Sequence, residues 1–286
     1  MKPKIGLVLE GGAMRGLYTA GVLDTFLKNN IEVDGIIGVS AGALFGANYF
    51  SKQIGRVLRY NKKHCKDKRY ISISSFLKTG NIINKEFAFY KITNELDIFD
   101  DKTFKKTNKD FYVTITNTKN GKAEYVNIKK SIVDNLEVLR ASSAMPFVSK
   151  MININGNEYL DGALSDSIPI DKAKDLGFTK IIVILTQPKN YRKKPYSKIK
   201  KLFIKFKYRK YPKLINCISN WYLNYNNTLE KIIDLENKKE IFVIRPSNPL
   251  EIHRLEKDEI KLQKVYDLGV NDCNTILDSL KKYLDN

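Results

Sequence analysis

Histidine and cysteine, the side chains most often recruited for polar catalysis and crosslinking, are scarce in this sequence. Its 286 residues include two histidines, three cysteines and one tryptophan. Cys65, Cys217 and Cys273 are odd in number, far apart, and contain no CxxC pair. That argues against a disulfide framework or a zinc cluster and for a reducing, cytoplasmic setting. No apolar run approaches the roughly 18 residues of a membrane span. The run Ile5–Leu9 stops at Glu10, too short for the core of a secretory leader. Acidic residues are also in deficit: 31 Asp and Glu stand against 50 Lys and Arg, a formal net charge of +19. Such an excess attracts polyanions, either nucleic acid or an anionic membrane surface, and charge alone does not choose between them. What remains is 43% hydrophobic and 28% charged, the composition of a folded globular chain long enough for one sizeable core.

Hydrophobic patterning supplies the fold class. Ile5–Leu9 reads as a buried strand ended by the turn Gly11-Gly12, with a helical pattern following through Leu17, Leu23 and Leu27. Ile36–Val39 is a second short strand, and the small, apolar stretch from Ala41 to about Tyr49 suits a helix packed inside the fold. Strand, helix, strand and helix within 50 residues imply parallel pairing and an α/β fold. Phe111–Asn117, Glu124–Ile128, Lys180–Leu185 and Ile241–Ile244 read as further strands, and Met151–Ile154 and Glu158–Leu160 flank the hairpin signal Asn155-Gly156. Residues 51–110 carry no firm assignment.

Three short motifs carry chemistry. Gly38-Val39-Ser40-Ala41-Gly42 matches the G-x-S-x-G nucleophile elbow and lies between a strand and a helix, where that motif belongs. Gly38 and Gly42 suit a turn too sharp for side chains two positions either side of the serine. Gly11-Gly12-Ala13-Met14-Arg15-Gly16 also joins a strand to a helix. Its clustered backbone N–H groups suit an oxyanion or a phosphate. A nucleotide- or phosphate-binding regulator built on the Gly11–Gly16 turn is therefore the alternative reading, although the turn lacks the middle glycine of G-x-G-x-x-G and no Gly-Lys-Ser/Thr follows. Asp161-Gly162-Ala163, after the hairpin, is weak by itself, since Asp-Gly is ordinary turn chemistry. The histidines fit a Ser-His-Asp triad badly. His64 precedes Asp161 and sits among lysines, and His253 lies beside Arg254 in a polar turn, so both are expected at the surface.

In this order, the glycine turn, the elbow and Asp-Gly-Ala resemble the patatin-like phospholipase family, as does Ala141-Ser142-Ser143-Ala144-Met145-Pro146. The resemblance covers residues 1–188; the basic segment beyond it and Ile241–Pro249 resemble a bacterial subgroup. It implies a three-layer fold, with a mostly parallel central sheet flanked by helices. It also implies a Ser40–Asp161 dyad that hydrolyses lipid carboxylic esters through an acyl-enzyme, with no metal and no organic cofactor. Gly11, Gly12 and Ala13 would hold the oxyanion, with Arg15 supporting the turn or its charge. Ala13 departs from the family, many of whose members have glycine there. The substrate implied is a lipid or another ester, and no nucleic acid is expected.

The rest of the chain divides by composition. Residues 1–188 form the catalytic core, 189–240 a basic, aromatic-rich helical insertion, and 241–286 a strand and helix completing the same domain. Between Lys189 and Lys213 there are twelve Lys or Arg and no Asp or Glu. Ile199, Leu202, Phe203 and Phe206 fall at i, i+3, i+4 and i+7, with Lys200, Lys201, Lys205 and Lys207 between them. The stripe either packs on the core or lies in a membrane interface, and the unbalanced charge favours peripheral contact with an anionic membrane.

Overall fold

A computed structural model describes residues 3–285. The sheet grows outward from two apolar strands, β1 (Ile5–Leu9) and β2 (Gly35–Val39), which pair in parallel. α1 (Gly16–Lys28) crosses between them, the usual connection for parallel neighbours. Further strands are β3 (Asp110–Asn117), β4 (Ala123–Asn127), β5 (Ile152–Ile154), β6 (Asn157–Asp161), β7 (Lys180–Ile184) and β8 (Ile241–Ile244). The eight make one sheet in the order β5-β6-β3-β2-β1-β7-β8, with β4 also on β3. Its centre is parallel, and the pairings β3–β4, β3–β6 and β5–β6 are antiparallel.

Alternation along the central strands fills two apolar layers. Leu7, Leu9, Ile36, Ile182 and Ile184 face one side, packed with α1, with α2 (Ala41–Phe50) and with the long helix Glu259–Asp285. Val8, Ile37, Ile181 and Val183 face the other, against Ile170–Asp175 and the helix Pro212–Asn237. Helices on both faces of a mostly parallel sheet make the three layers expected of the patatin-like fold. The closing helix sits backbone to backbone on α1. A Cβ on Gly21 would lie 2.2 Å from the Tyr266 carbonyl oxygen, and one on Gly269 2.1 Å from that of Tyr18, so only glycine permits the crossing. The Tyr266 hydroxyl donates to the buried Asp24 across it at 2.7 Å.

One expectation needs correcting, and one of two open alternatives falls away. His64 is not at the surface: it is buried at the end of the helix Arg56–His64, with its ring edge-on to Phe87 at 5.3 Å. His253 is exposed. The stripe on the helix Lys198–Lys207 does not pack on the core: Ile199, Leu202, Phe203 and Phe206 are 83%, 69%, 53% and 69% exposed. Ile204 and Tyr208, off the stripe, are the buried contacts instead.

Candidate active site

Register explains how two residues 121 positions apart come to touch. β2 pairs with β3 as far as Val39 opposite Thr114, and then the chain turns away into α2. β3 runs on, and β6 takes up the vacated edge with Asp161 opposite Ile115, the very next position. Asp161 therefore ends its strand where Ser40 leaves the sheet. The Ser40 hydroxyl donates to Asp161 Oδ2 at 2.9 Å, and Asp161 Oδ1 accepts the Ala163 N–H at 2.9 Å. Both side chains are buried. Burial pushes the Asp161 carboxyl up to about 6, against the opposing pull of the Ala163 N–H and the Ser40 hydroxyl.

The elbow is strained and crowded. Ser40 holds φ 53°, ψ −123°, a region costly for a residue with a side chain. A Cβ on Gly38 would meet Ala43 Cα at 2.5 Å, and one on Gly42 would meet the Leu9 carbonyl oxygen at 2.6 Å. Ser142 fastens the turn by accepting the Ser40 N–H at 2.8 Å while donating to the Thr114 carbonyl at 2.7 Å. The block Ala141–Pro146 thus contributes a backbone clamp, a role that its sequence alone does not disclose.

The glycine turn lies over the same serine. Gly11, Gly12, Ala13 and Ser40 line one cavity of about 490 Å³ together with Asp161. Among the described residues no acceptor takes the N–H of Gly11, Gly12 or Ala13. Ala13 has φ +50°, the conformation for which glycine is suited. Arg15 closes the short turn Ala13–Arg15 and lines the same cavity, and its Nε is buried without a partner. A second, narrower cavity of about 100 Å³ also reaches Ser40 and is walled by apolar side chains, Leu44, Phe45, Phe89, Ile92 and Leu136 among them. Phe89 and Ile92 come from the wide, π-type helix Lys85–Leu96, in the stretch left unassigned from sequence. Neither histidine lines either cavity.

A family model described as patatin-like phospholipase matches residues 7–174. The chain belongs to that family. A second model, described as a domain of unknown function, matches residues 211–285. Escherichia coli K12 has a relative bearing the name uncharacterized protein YjjU, 28% identical over 270 residues, 93% of this chain and 75% of that one. Lysophospholipase nte1 of Aspergillus niger is 27% identical over 195 residues, 63% of this chain, and the match spans only 12% of the fungal protein's length. A probable lipid hydrolase, 463L of Invertebrate iridescent virus 6, is 27% identical over 188 residues, 60% of this chain and 65% of that one. The crystal structure of VipD from Legionella pneumophila aligns over 98% of this chain and 67% of that one, with a TM-score of 0.47 at 10% identity. Membership of this family points to lipid esters as substrates and does not favour the nucleotide-binding alternative.

The basic segment divides between this site and the surface. Lys200 lines the wider cavity, with Nζ 4.2 Å from the Tyr196 ring centre. Lys207 donates to the Phe147 carbonyl at 3.3 Å. Lys201 is half-buried and Lys205 exposed, and neither lines the cavity. Sequence reasoning missed Lys193 and Arg254, which line the wider cavity beside Asp161. Among the described residues, no helix is long and apolar enough to cross a membrane, and the three cysteines are free and buried.

Proposed function

We propose that this chain hydrolyses lipid carboxylic esters, as a phospholipase A or lysophospholipase, through a Ser40–Asp161 dyad and a covalent acyl-enzyme. The 2.9 Å hydrogen bond from Ser40 to Asp161 at a strained strand-to-helix elbow is the observation that carries the reading. Asp161 takes the hydroxyl proton as Ser40 Oγ attacks the ester carbonyl carbon. The carbonyl oxygen becomes an oxyanion, held by the free N–H groups of Gly11, Gly12 and Ala13. Collapse breaks the ester C–O bond, and the leaving alcohol carries away the proton from Asp161. Water then loses a proton to Asp161 as it attacks the acyl carbon; the bond from that carbon to Ser40 Oγ breaks, Oγ takes the proton back from Asp161, and the acid is released. A carboxyl raised to about 6 suits this base role: it is ionised at neutral pH yet more basic than a solvated aspartate. The narrow cavity suits an acyl chain, and the wider one, which alone is lined by Arg15, Lys193 and Lys200, the leaving group.

We place this chemistry at an anionic membrane surface, contacted from the cytoplasmic side. Four exposed apolar residues on one short helix, interleaved with lysines at the mouth of the Ser40 cavity, support that placement. A panel of lipid esters assayed with wild type and Ser40→Ala tests the hydrolase reading. Turnover of at least one acyl ester should fall by about 10³-fold or more in the variant, and unchanged turnover with intact folding would overturn it.

A further inference from the structure

Four cations converge on the wider cavity. Arg15 and Lys193 are half-buried, whereas Lys200 and Arg254 stand exposed at its rim. Among the described residues none of the four makes an ion pair. The two carboxylates of the cavity, Glu10 and Asp161, are already engaged. Glu10 accepts the Thr186 N–H and the Tyr225 hydroxyl, while Asp161 accepts from Ser40 and Ala163. The cationic side chains of the cavity thus outnumber its carboxylates by four to two.

Lys193 is held in place rather than free to swing away. Asn226 clamps the Lys193 backbone, accepting its N–H at 2.9 Å and donating to its carbonyl at 3.0 Å. The Lys193 ammonium then lies 3.9 and 3.5 Å from the ring centres of Trp221 and Tyr225. Trp221 is itself fixed by donation to Ser167 at 3.0 Å. The Arg254 carbonyl accepts the Met14 N–H at 3.3 Å, which ties this rim to the oxyanion turn. Burial, together with repulsion from Arg254 and Arg15, pushes Lys193 down to about 7 against the pull of Glu10. That is a site short of an anion. The buried, unpartnered Nε of Arg15 is a second sign of the same vacancy in its bonding.

We infer that Arg15, Lys193, Lys200 and Arg254 form a cationic subsite that binds a phosphate on the leaving-group side of the scissile ester. Two guanidiniums and two ammoniums match the several acceptor oxygens of a phosphate better than the single plane of a carboxylate. A phosphomonoester, with close to two negative charges at neutral pH, engages more of these four cations than a phosphodiester does. Lys193, Lys200 and Arg254 lie outside the residues matched by the patatin-like model, and Trp221, Tyr225, Asn226 and Arg254 lie within 211–285. The inference thus gives that C-terminal segment a role: it builds the wall that selects the leaving group. It rests on the hydrolase reading for its function, but its binding can be measured without turnover.

The probes are hexanoyl glycerol phosphate, hexanoyl glycerophosphocholine and hexanoyl glycerol, whose short chain keeps them monomeric and away from any membrane effect. Calorimetry on Ser40→Ala protein should rank them in that order, with the phosphomonoester at least tenfold tighter than the neutral glycerol. In Lys193→Met, which keeps the aliphatic stem against the rings, and in the exposed-site variant Arg254→Gln, that preference should shrink to threefold or less. Equal affinity for charged and neutral probes in the parent protein overturns the subsite. Inorganic phosphate binding as tightly as the lipid would overturn the leaving-group assignment in favour of free phosphate. Turnover with Ser40 present separates the two ideas. Hydrolysis of all three probes without preference sinks the subsite alone, and discrimination in binding without any hydrolysis sinks the hydrolase reading alone.

Discussion

Replacing Asp161 by asparagine should remove a loss of stability that wild type suffers as pH rises, while abolishing its chemistry. Burial raises this carboxyl from 3.8 to about 6, so the folded state binds the proton more tightly than the unfolded chain. Stability from this group is therefore fully present below about pH 3.8 and is lost as pH rises through about 6. At pH 8 the buried carboxylate costs about 3 kcal/mol relative to a neutral side chain, at ~1.36 kcal/mol for each pH unit between its unfolded and folded values. At pH 4.5 only about 1 kcal/mol of that cost has appeared by the same linkage. Any packing or hydrogen-bond defect of the amide is the same at both pH values and cancels in the comparison. The assay is urea unfolding of both proteins at pH 4.5 and 8. The asparagine variant should gain about 2 kcal/mol on wild type between the two, a midpoint shift of roughly 0.5–1 M urea. A stability difference that does not change with pH would refute the raised carboxyl, and with it the case for Asp161 as a base. The same group predicts that wild-type kcat/KM on a neutral ester rises with pH through about 6 and then levels.

Ala13→Gly should relieve the left-handed φ while loosening the unfolded chain, for a net change between zero and about 1 kcal/mol in favour of folding; urea unfolding that shows a loss above about 1 kcal/mol would contradict this. Because Ala13 lines both cavities at Ser40, the same change should widen acceptance of bulky esters, read as kcat/KM across an ester series. Reversing Lys201, Lys205 and Lys210 to glutamate should weaken binding to anionic vesicles by about 100-fold or more at low salt, each removed cation contributing about 1 kcal/mol. Wild type that binds zwitterionic and anionic vesicles equally in sedimentation assays would remove the interfacial role of the helix Lys198–Lys207.

Much of the fold was legible because its centre is made of short, fully apolar strands punctuated by glycine. Ile5–Leu9 and Ile241–Ile244 have the bounds their residues imply, and Asn155 and Gly156 take φ 50° and 81° at the hairpin. The dyad pair was readable only as a family resemblance, since nothing local in Asp-Gly-Ala says that β6 will occupy the edge β2 abandons. His64 was misjudged because its lysine neighbours face solvent while the ring turns inward to Phe87. Lys193 resembles the other lysines of its run, and only the distant aromatic pair Trp221 and Tyr225 sets it apart. The amphipathic stripe was visible, but whether the core would cover it depended on Ile204, a residue outside the repeat.

The central claim is that Ser40 carries a covalent intermediate activated by Asp161. The most direct measurement is intact and peptide mass analysis after reaction with a lipid-like phosphonate ester, in wild type, Ser40→Ala and Asp161→Asn. The account predicts one adduct per chain on the peptide containing Ser40, formed about 100-fold or more slowly in Asp161→Asn and absent in Ser40→Ala. An adduct on another residue, or lipid-ester turnover that persists in Ser40→Ala, would contradict it.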